Sequence, residues 1–215
     1  MIAILDYKAG NLTSVARALM HLGQEAVVTH DPALIRKAER LIFPGVGAAG
    51  QAMADLRELG LDLLLREAFA AGKPILGICL GTQIVFNHSE ENDATCLGLL
   101  PGTVIQFPNP LLENGVRLKV PHMGWNRVEF GGEHPVFAGL DPEAEFYFVH
   151  SYYPKVAVGS EAIIAGTSHY GFRFTSAVAS RNLVAVQFHP EKSGPAGLRI
   201  LENFCAWRPA CSVNG

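Results

Sequence analysis

The feature that most restricts the fold of this chain is the alternation, through its first half, of short apolar runs with segments of helical period. Residues 2–5, 26–28, 41–43 and 74–78 are apolar runs of strand length. Between them, residues 12–22, 33–38 and 49–71 repeat apolar positions at the three-to-four spacing of a helix buried on one side. Strands separated by helices in this order pair in parallel, since parallel neighbours cannot be joined by a tight turn and the connecting helix must cross a face of the sheet. Gly60 interrupts the long segment 49–71, which predicts a break there. The expected fold class is α/β: a doubly wound, mostly parallel central sheet with helices on both faces.

The second half changes character. Residues 104–107, 118–120, 126–130, 145–149, 162–165 and 172–178 are strand-like runs separated by Gly, Pro and Asn instead of helices, which predicts an antiparallel extension of the sheet. Residues 183–188 form another apolar strand, followed by a turn at His189-Pro190-Glu191 and a closing helix from about 195 to 207. At 215 residues the expectation is one domain over 1–207, with 208–215 a frayed tail.

Composition excludes several function classes. The net charge is −3 and Lys and Arg are scattered, so no basic stripe exists for a phosphate backbone and no nucleic-acid partner is expected. No apolar run approaches the roughly 20 residues of a spanning helix, and Met1-Ile2-Ala3-Ile4-Leu5 reads as a strand and not a leader, so the expected setting is cytoplasmic, without a membrane. Cys79, Cys96, Cys205 and Cys211 form no C-x-x-C pair and no Cys/His spacing typical of zinc; neither disulfides, a metal nor another cofactor is expected.

The chemistry gathers at strand ends. Cys79 lies in Gly77-Ile78-Cys79-Leu80-Gly81, directly after an apolar strand and before the helical run 82–87. This is the layout of a nucleophile elbow, with cysteine in place of serine. The turn holds the nucleophile in a strained conformation, and glycines flank it because a Cβ there would strike the neighbouring strand or helix. The helix N-terminus favours a thiolate, and its free N–H groups, that of Leu80 first, can bind an oxyanion. Cys96, Cys205 and Cys211 have no such setting and read as small core residues.

His189 ends the strand 183–188, where parallel sheets place their active groups. Glu191 can hold one imidazole nitrogen and leave the other to take a proton from a thiol, with Pro190 blocking a regular ladder or helix between them. Alone, a His-Pro-Glu triplet is an ordinary exposed turn. Combined with a cysteine elbow on another strand, it gives the order nucleophile, base, orienter. Pro44-Gly45-Val46-Gly47, after the third strand, is either a plain βα turn or a set of amides completing an oxyanion hole with Leu80. A Walker lysine and the third glycine of a dinucleotide loop are absent, so nucleotide binding is not inferred.

Together, Pro44-Gly45-Val46-Gly47, Gly77-Ile78-Cys79-Leu80-Gly81-Thr82-Gln83 and Phe188-His189-Pro190-Glu191 resemble the class I (triad) glutamine amidotransferases, whose fold is flavodoxin-like. Within that family, Asp6-Tyr7-Lys8-Ala9-Gly10-Asn11-Leu12, Pro121-His122-Met123-Gly124-Trp125-Asn126 and Phe148-Val149-His150-Ser151-Tyr152 resemble the glutaminase subunits of imidazole glycerol phosphate synthases, over residues 2 to about 207. The resemblance implies that Cys79 attacks the glutamine side-chain amide to form a thioester, that His189 protonates departing ammonia and that Glu191 aligns His189. It implies glutamine contacts from Val46, Gly47, Leu80, Gln83, Glu91, His150, Ser151 and Tyr152, with the Val46 amide a switch set only when the partner is occupied. The implied partner is a (β/α)8 cyclase in a 1:1 heterodimer. That partner receives the ammonia and makes imidazole glycerol phosphate and an aminoimidazole carboxamide nucleotide in histidine biosynthesis. Asn11, Met123, Trp125 and Tyr147 would lie near the junction, although Met123 and Tyr147 read equally as ordinary packing. Lys8 and Thr82 stand where the family often has glycine and methionine. Competing readings are a related glutaminase feeding pyridoxal phosphate synthase or a sugar pathway, a silent scaffold of the same fold, and a free-standing thiol hydrolase. The elements around Asp6 and Trp125 oppose the pyridoxal reading, the complete triad opposes the scaffold, and strong activity without a partner would favour the hydrolase.

Overall fold

The computed structural model describes residues 1–8 and 10–209. Among them, the central sheet has eight strands: β1 (Ile2–Leu5), β2 (Ala26–Thr29), β3 (Arg40–Gly45), β4 (Ile75–Cys79), β5 (Glu129–Phe130), β6 (Ile164–His169), β7 (Arg173–Ser180) and β8 (Leu183–Val186). Their spatial order is β5-β6-β7-β8-β4-β3-β1-β2. The pairs β2/β1, β1/β3, β3/β4 and β4/β8 are parallel, whereas β8/β7, β7/β6 and β6/β5 are antiparallel. The expected parallel sheet with an antiparallel extension is therefore present, joined at β8.

The helices are α1 (Leu12–His21), α2 (Pro32–Lys37), α3 (Ala49–Glu58), α4 (Leu61–Ala70), α5 (Leu80–Ile84) and α6 (Gly194–Ala206). Strand alternation sends side chains to two separate layers. Ala3, Leu5, Leu41, Phe43 and Ile75 pack with Met53, Leu56 and Leu65 of α3 and α4, while Ile2, Ile4, Ile42, Leu76 and Ile78 pack with Val15 and Leu19 of α1 and Ile200 and Phe204 of α6. Neither face of these strands is wet, which is why they read as unbroken apolar runs. Local chemistry sets the ends. Asp31 accepts the Ala33 N–H at 2.8 Å to start α2, and Gly60, at φ 66°, divides α3 from α4 as its position predicts.

The boundaries of the antiparallel half differ from expectation in ways that shape the site. The run at 126–130 is divided: Asn126 and Arg127 end a ribbon of His122–Arg127 against Glu145–His150, and Glu129–Phe130 form β5. Pro121, Gly124 and the polar positions give the ribbon's start little strand signal. A further small sheet orders Tyr152–Val156, Gly102–Gln106, His88–Ser89 and Ala94–Thr95, and only its second strand overlaps an expected run. A hairpin of Leu111–Glu113 and Val116–Leu118 stands where 118–120 was expected, and Glu161–Ile163 is a 3-10 turn leading into β6. The expected frayed tail, from residue 210 onward, lies outside the described residues, as does Cys211. Among the described residues no helix is long and apolar enough to cross a membrane.

Candidate active site

Three neighbouring strands deliver their C-terminal ends to one place. Gly45 at the end of β3 is in register with Cys79 at the end of β4, and Val186 at the end of β8 is in register with Ile78. Cys79 has φ 53° and ψ −108°, a conformation that side chains avoid, and it immediately precedes α5. Both flanking glycines are required sterically. A Cβ on Gly77 would lie 2.9 Å from that of Ala185, and one on Gly81 would lie 1.9 Å from the carbonyl oxygen of Phe43. Gly45 is equally constrained, since a Cβ there would lie 1.9 Å from the buried hydroxyl of Tyr7. The elbow is thus packed so closely that an added Cβ at three glycines would meet the Ala185 side chain, the Phe43 backbone and the Tyr7 hydroxyl.

The thiol is almost enclosed, at 6 % exposure. Its Sγ lies 3.9 Å from the Val149 carbonyl and accepts from Gln187 Nε2 at 3.7 Å. His189 and Glu191 have side chains 1 % and 0 % exposed, and His189 Nδ1 is 2.7 Å from Glu191 Oε1. A carboxylate can only accept, so Nδ1 carries the hydrogen and Nε2 faces the thiol with no other partner. Burial alone would lower the basicity of this imidazole. Hydrogen bonding and charge from Cys79 and Glu191 outweigh it, and His189 is pushed up to about 10. Burial instead pushes Cys96 and Cys205 up to about 11, with Glu202 adding to the effect on Cys205, which fits their expected inertness.

All eight residues expected to contact glutamine line one cavity of about 330 Å³ with Cys79: Val46, Gly47, Leu80, Gln83, Glu91, His150, Ser151 and Tyr152. Their side chains are not all available to a ligand. Both nitrogens of His150 are engaged, one with His122 at 2.9 Å and one with the Tyr152 carbonyl at 2.7 Å, so its ring is a wall and not a free donor. The Nε2 of Gln83 is likewise committed, to the Tyr152 carbonyl and to Gln187 Oε1, each at 3.1 Å. Glu91 Oε2 accepts the Ala49 N–H at 2.8 Å, and half-burial raises its pKa against that bond. A larger cleft of about 1100 Å³ adjoins the cavity at Pro121 and Ser151 and extends to Met123.

The residues expected near a partner fall into two groups. Met123 and Trp125 are 61 % and 54 % exposed on the outer face of the ribbon. Tyr147 and Asn11 are half-buried and turned toward the site: Tyr147 packs between Trp125 and His189, and Asn11 Nδ2 donates to Glu191 Oε1. Asn11 also starts α1 at φ 73°, a backbone conformation asparagine tolerates, with its side chain spent on Glu191 instead of the helix end. Two further residues escape the sequence reading. Ser193 Oγ donates to the His189 carbonyl at 2.6 Å and accepts the Tyr147 N–H at 3.0 Å, bracing the turn. Gln187, buried beside the thiol, had a legible signal: it is the polar residue in the apolar run Leu183-Val184-Ala185-Val186-Gln187-Phe188.

A thiol at an elbow, an imidazole with one nitrogen held by a carboxylate and the other facing the thiol, and helix N–H groups beside them form an arrangement chemically able to carry out acyl transfer, set on a parallel α/β sheet. Residues 3–207 match the family model described as Glutamine amidotransferase class-I, and the chain belongs to that family. Its relatives include "Imidazole glycerol phosphate synthase subunit HisH" of Thiobacillus denitrificans, 50% identical over 100% of this chain and 96% of the relative. The protein of that name from Nitratidesulfovibrio vulgaris strain DP4 is 55% identical over 95% of each chain. Among solved structures, "Crystal structure of glutamine amidotransferase" superposes with TM-score 0.71 at 20% identity, covering 95% of this chain and 98% of that one. "Structure of PurLQS from Thermotoga maritima" gives TM-score 0.72 at 16% identity over 95% and 97%. At those identities the structural likeness concerns the fold alone.

Proposed function

We propose that residues 1–207 form one glutamine amidotransferase domain, the glutaminase subunit of an imidazole glycerol phosphate synthase, acting in the cytoplasm in histidine biosynthesis. The observation that carries the reading is the imidazole of His189, fixed on one side by Glu191 at 2.7 Å and left on the other with a buried nitrogen that has no hydrogen-bond partner and is influenced by the Cys79 thiol. Transfer of the thiol proton to Nε2 creates a thiolate and an imidazolium stabilised by Glu191. The sulfur adds to the side-chain carbonyl carbon of glutamine, and the oxyanion is held by the amides of Leu80 and of Val46 or Gly47. Collapse breaks the C–N bond, the imidazolium gives its proton to nitrogen, and ammonia leaves a thioester. Water then gives a proton to His189 as its oxygen attacks the thioester, and glutamate departs with the thiolate restored. Glu91, the Gln83 carbonyl and the 150–152 segment would hold the α-amino and α-carboxylate groups of glutamine.

The ammonia is passed to a (β/α)8 cyclase in a 1:1 heterodimer, docked on the face that presents Met123 and Trp125, which makes imidazole glycerol phosphate and an aminoimidazole carboxamide nucleotide. The high identity over nearly whole chains to proteins named as subunits of that synthase supports this assignment. Glutamine hydrolysis is measured for the purified chain alone and with the cyclase and its nucleotide. Activity should be low alone and rise steeply on addition, and should vanish in Cys79→Ala. An unchanged rate on addition would overturn the partner assignment, and retained activity in Cys79→Ala would overturn the mechanism.

A further inference from the structure

A series of hydrogen bonds, side chain to side chain except where it passes through the backbone carbonyl of Tyr152, begins on the ribbon and ends at the thiol. Asn126 Nδ2 donates to the His169 carbonyl at 2.9 Å and lies 3.2 Å from His122 Nε2. His122 Nδ1 is 2.9 Å from His150 Nε2, and His150 Nδ1 is 2.7 Å from the Tyr152 carbonyl. Gln83 Nε2 donates to that same carbonyl and to Gln187 Oε1, each at 3.1 Å, and Gln187 Nε2 donates to Cys79 Sγ at 3.7 Å.

The direction of every link follows by elimination. The Tyr152 carbonyl only accepts, so His150 carries its hydrogen on Nδ1 and offers Nε2 as an acceptor. His122 must then donate from Nδ1 and accept at Nε2 from Asn126. A second proton on either ring would set two N–H groups against each other. Burial pushes His122 down to about 4 and His150 to about 3, so both rings stay neutral and the polarity holds near neutral pH. His122 is further fixed between the rings of Phe148 and Tyr170, at 4.8 and 4.1 Å. Along the ribbon, His122 and Asn126 share its inner face, whereas Met123 and Trp125 stand on its exposed outer face.

We propose that His122, His150, Gln83 and Gln187 form a positioning relay, through which the seating of the Met123–Trp125 ribbon sets the hydrogen bond that Gln187 gives to the Cys79 thiolate. A partner pressed against the outer face moves the first donor of a series whose last donor lies on the nucleophile. The inference rests on Cys79 being the nucleophile of the glutaminase reading. None of these four residues is called on to move a proton; each holds the next.

The test is the rate of alkylation of Cys79 by iodoacetamide against pH, read by mass spectrometry of the Cys79 peptide from the full chain. The ionisable groups around the thiol, His189 with Glu191 behind it, Tyr7, and Glu91 across the cavity, stay unchanged in the relay variants. Gln187→Met keeps side-chain length and removes the donor; alkylation at pH 7 should slow about tenfold with the midpoint displaced upward, as loss of a hydrogen bond to a charged group predicts. His122→Phe keeps the aromatic stack and cuts the relay, and should slow alkylation about threefold. His122→Asn, whose amide can donate from the Nδ1 position, should restore most of the rate. A wild-type profile in Gln187→Met overturns the relay, and that variant decides the matter if His122→Phe does not fold. Equal slowing in His122→Phe and His122→Asn assigns the effect to packing and also overturns it. A His189→Asn control that alkylates like wild type would sink the triad reading itself, and the relay with it.

Discussion

The buried histidines of this chain differ through their neighbours and not through their exposure. His189 is flanked by a thiol and a carboxylate and is pushed up to about 10, whereas His122 and His150, surrounded by aromatic rings and neutral hydrogen bonds, are pushed down to about 4 and 3. The consequences for stability have opposite signs. A raised folded-state value stabilises fully below the ordinary pKa near 6.5 and is lost as pH rises toward 10. For the two lowered histidines the contribution is full above 6.5 and is lost as pH falls toward 4 and 3, because the unfolded chain gains protons that the fold refuses. Urea unfolding from pH 4 to 10 should therefore show both limbs. Glu191→Gln should flatten the alkaline limb, and His122→Phe should remove roughly 3 kcal/mol of acid-side loss. An acid limb as steep in His122→Phe as in wild type would contradict the assignment.

At the scale of elements, β3 ties the site to the far end of α6. Arg40, 3 % exposed at the start of β3, donates to the carbonyls of Trp207 at 2.6 Å and Phe204 at 3.2 Å, placing a positive charge at the C-terminal end of α6. Arg40→Met should destabilise the fold by about 2–3 kcal/mol in chemical denaturation, the loss of a buried charged donor to two carbonyls, with glutamine turnover per folded molecule unchanged. Arg40→Lys should recover only part, since one ammonium replaces a planar fork. This clamp illustrates what the sequence hides. The parallel strands and their helices were legible because each is buried on both faces and its composition says so. Likewise, the elbow at Cys79 and the His189-Pro190-Glu191 turn could be placed at strand ends because strand and turn signals flank them. The ribbon at His122–Arg127 was not legible: Gly124 and alternating polar positions obey pairing with Glu145–His150 and not a local preference. Gln187 and Ser193, and the bond that Asn11 makes to Glu191, are hidden in the sequence for a related reason. Their roles depend on which residues lie across from them, up to 180 positions away in the case of Asn11 and Glu191.

For the molecule as a whole, the sheet divides its duties at β8. The parallel side supplies a rigid frame with helices on both faces, and the antiparallel side carries a ribbon whose outer face is apolar and exposed at Met123 and Trp125. If the proposed cyclase docks on this face, Trp125→Ala should weaken its association by about 2 kcal/mol, or roughly thirtyfold in Kd, as loss of an exposed aromatic anchor does. Calorimetric titration measures this, and an unaltered Kd would remove the ribbon from the docking face. The backbone at Cys79 has a consequence on a longer timescale. Its φ of 53° and ψ of −108° describe a conformation open to glycine and unfavourable for every residue with a Cβ. A descendant relieved of the need to break amides would become sturdier by exchanging this entire side chain, Cβ included, for a hydrogen atom. Cysteine at this one position therefore stands against the preference of its own backbone, and its sulfur is what the fold gives up stability to present.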